Sequence, residues 1–267
     1  MTVTLRMLRD RVRGLIGWSI GMVGLVFITV AVYPAIKDQG QTFNNLLNQL
    51  PEAFKNAIAF NPEVPLTSPP GYLNARLFAI LGPALLLVFA IGVGAQVIGG
   101  FEEAGYLEPL LANPVTRVRV ALERYAAGVV LLISLIVVFA VACVVEATPF
   151  GALDGVNLGG LIGACAAVGC LALLHGSIAF AVGAATGRRA PAIAAATAVA
   201  ATGYLIQSLS PLTDLLNGFR YVNPWHWYLE RNMLVGGVPP EAILAPLGVC
   251  VVLLGLGVLA LRRRDLR

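Results

Sequence analysis

The chain has 267 residues and a mass of 28.0 kDa; 58% of its residues are apolar, 12% are charged, and the mean hydropathy is +0.83. Soluble domains run nearer half apolar and about a quarter charged, so a single soluble globule is excluded, because its polar side chains could not cover its surface. The net charge of +4 would in a soluble protein suggest nucleic acid, but here the position of the basic residues matters more than their sum, and no nucleic-acid partner is expected.

Six apolar segments bounded by charges or by Gly and Pro are long enough to cross a bilayer, which takes about 20 residues. They cover 14–34, 77–100, 125–145, 158–185, 190–209 and 242–261. Backbone in lipid must satisfy its own hydrogen bonds, and the segments are too continuously apolar for alternating barrel strands. The expected fold class is therefore an all-α integral membrane protein with six transmembrane helices in one domain spanning 1–267. Basic residues before the first segment imitate a secretory signal, yet the apolar run continues to Val32 and ends in Tyr33-Pro34 without a small-residue cleavage pattern. A retained anchor is expected.

Of the 18 Lys and Arg, thirteen fall in the N-terminal tail, the second and fourth connections and the C-terminal tail, and five in the other loops. The positive-inside rule then puts both termini in the cytoplasm. Ahead of the first span, Leu5, Leu8 and Val12 share one helical face and Arg6, Arg9 and Arg13 another, which suggests an interfacial helix or a solvated basic tail. In the long outer loop after the first span, Phe43, Leu46, Leu47 and Leu50 recur at helical spacing, as do Phe54, Ala57 and Ile58; one or two amphipathic helices are expected there. Cys143, Cys165, Cys170 and Cys250 lie in apolar runs without C-x-x-C spacing and read as small buried hydrophobes, with no metal site.

The most informative stretch is the connection after the second span, Gly99-Gly100-Phe101-Glu102-Glu103-Ala104-Gly105-Tyr106-Leu107-Glu108-Pro109-Leu110-Leu111-Ala112-Asn113-Pro114-Val115-Thr116-Arg117. A connecting loop needs only polarity, whereas this one sets acids among Tyr106, Leu107, Leu110 and Leu111, exposed on the cytoplasmic side unless something covers them. That pattern marks a docking surface. Leu107, Leu110 and Leu111 stand at i, i+3 and i+4, so one short helix over 102–113 would present an apolar edge and stop before Pro114.

The pattern acid-x-x-Gly-x-Leu-Glu-x-Leu-Leu-x-x-Pro-x-x-Arg between the second and third of six spans resembles the coupling region of ABC-2-type transporter permeases. Glu102, Gly105, Leu107, Glu108, Leu110, Leu111, Pro114 and Arg117 carry the match; Pro109 departs from it, a departure a helix tolerates if it begins only there. The segment Tyr221–Tyr228 looks like the family's aromatic stretch between the last two spans, and Arg263-Arg264-Asp265-Leu266 resembles its C-terminal ending. The resemblance implies the membrane half of an ATP-driven transporter of the bacterial inner membrane, usually an exporter. It would work as a dimer with a second copy or a paralogous permease, beside two ATP-binding subunits that hold the ATP and Mg. No cofactor is expected on this chain. The resemblance also implies a cytoplasmic coupling helix, with Glu103 added to the matching residues as ATPase-coupling positions, and a re-entrant outer segment within 211–237. Charge reversal at Glu102, Glu103 or Glu108, or breaking the segment at Leu107, is expected to uncouple ATP hydrolysis from transport.

Independently, a P-loop ends in Gly-Lys-Ser/Thr, while the two lysines, Lys37 and Lys55, follow Ile36 and Phe54. The chain is not expected to be an enzyme. His175, in the fourth span, is an intramembrane ionisable residue and a candidate for the substrate pathway, or a neutral imidazole bonding a neighbouring helix. Gln96 and Gln207 are candidates for the same pathway or for interhelical hydrogen bonds. Glu146 and Asp154 belong just outside their spans, where water solvates them. The aromatics around His226 read as an interfacial belt or a cation site, and Glu230 with Arg231 as an outer ion pair. Gly17/Gly21, Gly155/Gly159/Gly163 and Gly183/Gly187 have the spacing that permits close helix approach. A hydrophobic or amphipathic cargo such as a drug, antibiotic or lipid is expected. Two alternatives stay open: an ion-gradient-driven secondary transporter, which needs buried ionisable groups and broken helices, and a non-transporting membrane scaffold.

Overall fold

A computed structural model describes residues 3–38, 50–51, 64–65, 67–111, 115–210, 216, 218–219 and 221–264. The described elements are helices: α1 (Val3–Asp38), α2 (Pro69–Leu73), a π-helical segment (Asn74–Leu81), α3 (Gly82–Val97), α4 (Gly99–Glu103), α5 (Leu107–Leu111), α6 (Arg117–Ala147), a 3-10 turn (Thr148–Phe150), α7 (Leu158–Thr186), α8 (Arg189–Leu209), α9 (Pro224–Leu229), α10 (Met233–Gly236) and α11 (Glu241–Arg263). Among the described residues six stretches are long and apolar enough to cross a membrane: Met7–Lys37, Pro69–Val97, Arg117–Phe150, Leu158–Thr186, Arg189–Leu209 and Glu241–Arg263. The expected segments sit inside these helices, except that the second overran α3 by three residues, 98–100.

The helices begin where side chains cap them. Thr116 accepts from the Arg119 N–H, Asn157 from Gly159 and Gly160, and Asn223 from Trp225, each satisfying first-turn donors that have no carbonyl partner. α7 stops at Gly187, whose φ of 69° suits glycine.

One sequence expectation is corrected by α1, and the second span adds a feature of its own. The amphipathic stretch before the first span is no separate interfacial helix: α1 is continuous for 36 residues, about 54 Å at 1.5 Å per residue, longer than a bilayer core. Its extension lies along α6, where the Thr4 hydroxyl donates to the Glu123 carbonyl at 3.1 Å and Met7 is buried. The second span is not one regular helix, because Pro83 has no N–H and its ring crowds the preceding turn. The chain widens into a π turn ahead of it, with Gly82 donating to the Leu77 carbonyl. The π pattern would pair the Phe78 carbonyl with residue 83, a proline, and the Tyr228 hydroxyl donates to that carbonyl instead, at 2.6 Å.

The core joins α3, α6 and α7, with Leu86, Leu135, Phe139, Leu161 and Leu171 fully buried. α3 and α7 touch at glycines: a Cβ on Gly94 would collide with the Gly176 carbonyl, and one on Gly176 would lie 2.9 Å from the Ala90 carbonyl. The same contact continues at Gly99 and Gly183, 3.3 Å from an added Gly183 Cβ to the Gly99 nitrogen. The spacing pairs read from the sequence fare differently: Gly17 and Gly21 face open space, and Gly155 and Gly187 are positive-φ turn residues. Cys143, Cys165 and Cys250 are buried.

After the fifth span, α9 and α10 fold back onto the bundle. The Trp225 indole donates to the Ala200 carbonyl at 2.9 Å, Asn223 to Gly203 at 2.8 Å, and Leu234 accepts from the Asn157 N–H. Trp225, His226 and Tyr228 are therefore buried, while Tyr221 is 74% exposed; the polar atoms of Trp225 and Tyr228 meet carbonyls of the spans, so these side chains do not form an interfacial belt. Glu230 faces His226 at 3.7 Å, not Arg231. The outer-loop helices expected around Phe43–Leu47 and Phe54–Ile58 lie outside the described residues.

Candidate functional site

Both described ends of the chain, the connection between the second and third spans and the turn between the fourth and fifth meet at one end of the bundle. This end carries Arg11, Arg117, Arg119, Arg124, Arg188, Arg189 and Arg262–Arg264. A second buried cluster holds it together, built from Met7 of α1, Val97 of α3, Val120 of α6, Ala184 of α7, Leu261 of α11 and Leu107 of α5.

The connection forms two short helices where one was expected. Gly105, at φ +74°, turns the chain between α4 and α5, and so redirects every side chain after it. Leu107 points into the second cluster and is 1% exposed, while Tyr106 is 62% exposed; the outward apolar residue is the tyrosine. Pro109 falls in the first turn of α5, where a missing N–H removes no hydrogen bond. Leu110 packs beside the same cluster. The side chains of Glu108 and Leu111, and Pro114 altogether, lie outside the described residues.

The two acids have different neighbours. Glu102 is buried and forms an ion pair with Arg264, whose own carbonyl accepts from Arg117 at 2.7 Å, as does that of Leu261 one turn earlier at 3.3 Å. Gly187 packs against this pair so closely that a Cβ would collide with the Arg264 guanidinium. Glu103 is exposed and accepts from the Arg189 N–H at 3.0 Å, so its carboxylate caps the start of α8, where negative charge is favoured. Arg124 donates to the Val97 carbonyl and lies 3.6 Å over the Phe101 ring, fixing α4 to α6. Adjacent glutamates thus tie one segment to the fifth and sixth spans.

The substrate-pathway candidates are not brought together. His175 is fully buried and its Nδ1 lies 2.8 Å from the Leu171 carbonyl of its own helix. The Gln96 side chain sits against Gly100, and Gln207 lies near the far end of α8. None of the three lines the large cavity.

That cavity is a cleft of about 620 Å³ between α1, the second span and α8, lined by Trp18, Phe89, Ile193, Thr197, Tyr204 and Trp225 among others. It starts at Arg11 and Arg189 and continues to Tyr204 and Trp225; fifteen residues of α8 separate its two ends, roughly 22 Å along the helix. Sequence reading missed it because its lining comes mostly from three distant helices and is mostly apolar; its two arginines stand in sequence among other basic span flanks, Arg9, Arg13 and Arg188.

A family model described as ABC-2 family transporter protein matches residues 1–266. No curated protein matches the chain.

Proposed function

The chain belongs to the ABC-2 transporter family, a family of membrane transport subunits, and from that premise we propose that it is the permease of an ATP-driven exporter whose ATP is hydrolysed on a separate subunit. The family match over residues 1–266 carries the reading, and the cleft supports it: an apolar passage along most of the bundle suits a hydrophobic or amphipathic cargo. The protein would lie in the inner membrane with its basic end and both termini in the cytoplasm. A second permease copy, or a paralogue, would pack on the glycine face of α1, where Gly17 and Gly21 meet open space, and leave the open side of the cleft to the bilayer.

In this reading the ATPase docks on the outward face of the α4–α5 segment, at Glu103 and Tyr106. Closure of the ATPases on nucleotide pushes the segment, and the segment moves the spans it holds. Glu103 transmits to α8, the wall of the cleft, and Glu102 transmits to α11. A ligand shifts a two-state equilibrium only through contacts that differ between the states, and these two links are where such a difference can pass. An ion-gradient mechanism would instead need ionisable groups along the passage; among the described residues the charged ones lining the cleft, Arg11 and Arg189, both sit at its basic end.

The test is to purify the chain gently from its own membrane and identify what accompanies it. A stoichiometric P-loop ATPase, whose hydrolysis is stimulated by the permease and whose loss abolishes export, is the expected result. A chain that purifies alone and moves solute on an ion gradient would overturn the proposal.

A further inference from the structure

The cleft is chemically lopsided. Among the described residues, those lining its length are apolar, aromatic or uncharged apart from Arg11 and Arg189, and no carboxylate is among them. Arg11 stands in the third turn of α1 and Arg189 is the first residue of α8, and their like charges repel. Asp10, the neighbour of Arg11 on its own helix, offsets that charge, and the Glu103 carboxylate accepts from the Arg189 backbone N–H at 3.0 Å, but neither guanidinium forms a salt bridge among the described residues. Two like charges held at the rim of an apolar passage are costly unless an anion sits between them, and an arginine fork suits phosphate and carboxylate oxygens in particular.

We infer that the cleft takes an acidic amphiphile from the membrane leaflet at the basic end, its anionic headgroup between Arg11 and Arg189 and its apolar body along the first, second and fifth spans. The role of this molecule as cargo rests on the permease reading above; its binding does not. The volume of about 620 Å³ holds a headgroup and the upper part of its chains, and the open side of the cleft lets the remainder lie in the bilayer. Selection is by charge at the rim and by apolar area beyond it, so a soluble anion without a tail gains only the first.

Trp18 and Trp225 supply the readout, since both line the cleft, Trp18 two turns from Arg11 and edge-on against Phe89 at 5.6 Å. In the full chain carrying Trp227→Phe, reconstituted in phosphatidylcholine nanodiscs, tryptophan fluorescence is followed while acyl-dibrominated phosphatidylglycerol or acyl-dibrominated phosphatidylcholine is titrated in. The acidic lipid should quench saturably at low mole fraction, with a preference over the zwitterionic lipid of about tenfold, the worth of one charge-assisted hydrogen bond. Arg11→Gln/Arg189→Gln should abolish that preference, whereas Arg11→Lys/Arg189→Lys should keep most of it, which controls for folding.

Equal quenching by both lipids, quenching that rises linearly with mole fraction as for boundary lipid, or a preference that survives the Gln substitutions would each overturn the inference. The last outcome would assign the preference to the general positive surface of that end, which the variant leaves intact. Displacement of the lipid by millimolar glycerol phosphate would also overturn it, since the tail would then count for nothing. Absence of quenching by either lipid would show the cleft sealed, again against the inference. The measurement needs no ATP. A chain that selects acidic lipid but recruits no ATPase would fail only the permease reading, and ATP-coupled export without lipid selection would fail only this one.

Discussion

Arg264, at the end of the sixth span, is paired with Glu102, 162 residues earlier in the segment that follows the second span. The pair is enclosed: the Glu102 side chain is 5% exposed and that of Arg264 20%. Gly187 of the turn between the fourth and fifth spans packs on it, and Arg117 holds the Arg264 carbonyl. Two connections and the end of the sixth span are thereby fastened around one carboxylate, which makes Glu102 a structural member of the basic end and leaves Glu103 and Tyr106 as its outward face.

Removing one partner of an enclosed ion pair leaves the other charged and unmatched, on the order of 3 kcal/mol. Arg264→Ala and Glu102→Ala should each lower the thermal midpoint of the purified protein in detergent. The exchange Glu102→Arg/Arg264→Glu should recover part of the loss. Two single variants as stable as the parent would show that the pair contributes nothing.

Because the outward and inward residues of the segment alternate, substitutions should separate into two groups. Glu103→Lys and Tyr106→Ala should leave the protein folded and inserted while weakening its stimulation of the partner ATPase. Leu107→Asp should instead abolish a folded peak on size exclusion, since it would bury an unpaired carboxylate in the second cluster. For Leu107, whose disruption the sequence suggests would uncouple ATP hydrolysis from transport, its burial makes a loss of fold the expected outcome instead. A stable Leu107→Asp protein, or coupled transport in both surface variants, would contradict this assignment.

Much of this architecture was legible in the residues. Apolar runs and their basic flanks located six spans, because hydrocarbon thickness and backbone hydrogen bonding leave few alternatives. The acids and leucines between 102 and 111 marked the segment. What periodicity could not convey was the turn at Gly105, where one positive φ reverses which side chains face out, so that Leu107 went in and Tyr106 out. The cleft was equally illegible, since its walls depend on how three spans far apart in the chain come together, and its two arginines look in sequence like ordinary span flanks.

The glycine contacts offer a sharper contrast. Gly94→Ala places a methyl group against the Gly176 carbonyl where α3 and α7 are closest, so the helices must move apart, at about 2–3 kcal/mol of overpacking. Gly17→Ala and Gly21→Ala meet nothing within 4 Å and should gain up to about 1 kcal/mol from helix propensity. Thermal midpoints of the three variants check this. If the α1 variants keep their midpoints but change the subunit mass measured by light scattering, the open glycine face of α1 is where the second permease packs.

The last prediction concerns the break in the second span. Pro83 cannot donate to the Phe78 carbonyl, and the Tyr228 hydroxyl fills that vacancy at 2.6 Å. Tyr228→Phe should leave a buried carbonyl without a donor, at about 1–3 kcal/mol, and loosen the return of α9 onto the bundle. In a Pro83→Ala background the backbone N–H is restored, so the same Tyr228→Phe change should cost less than half as much. The cycle of four proteins, compared by thermal midpoint, isolates the interaction between two residues 145 positions apart in the chain. Equal costs in both backgrounds would mean that Tyr228 stabilises the fold by packing alone, and that the π turn is set by the proline without help from the outer segment.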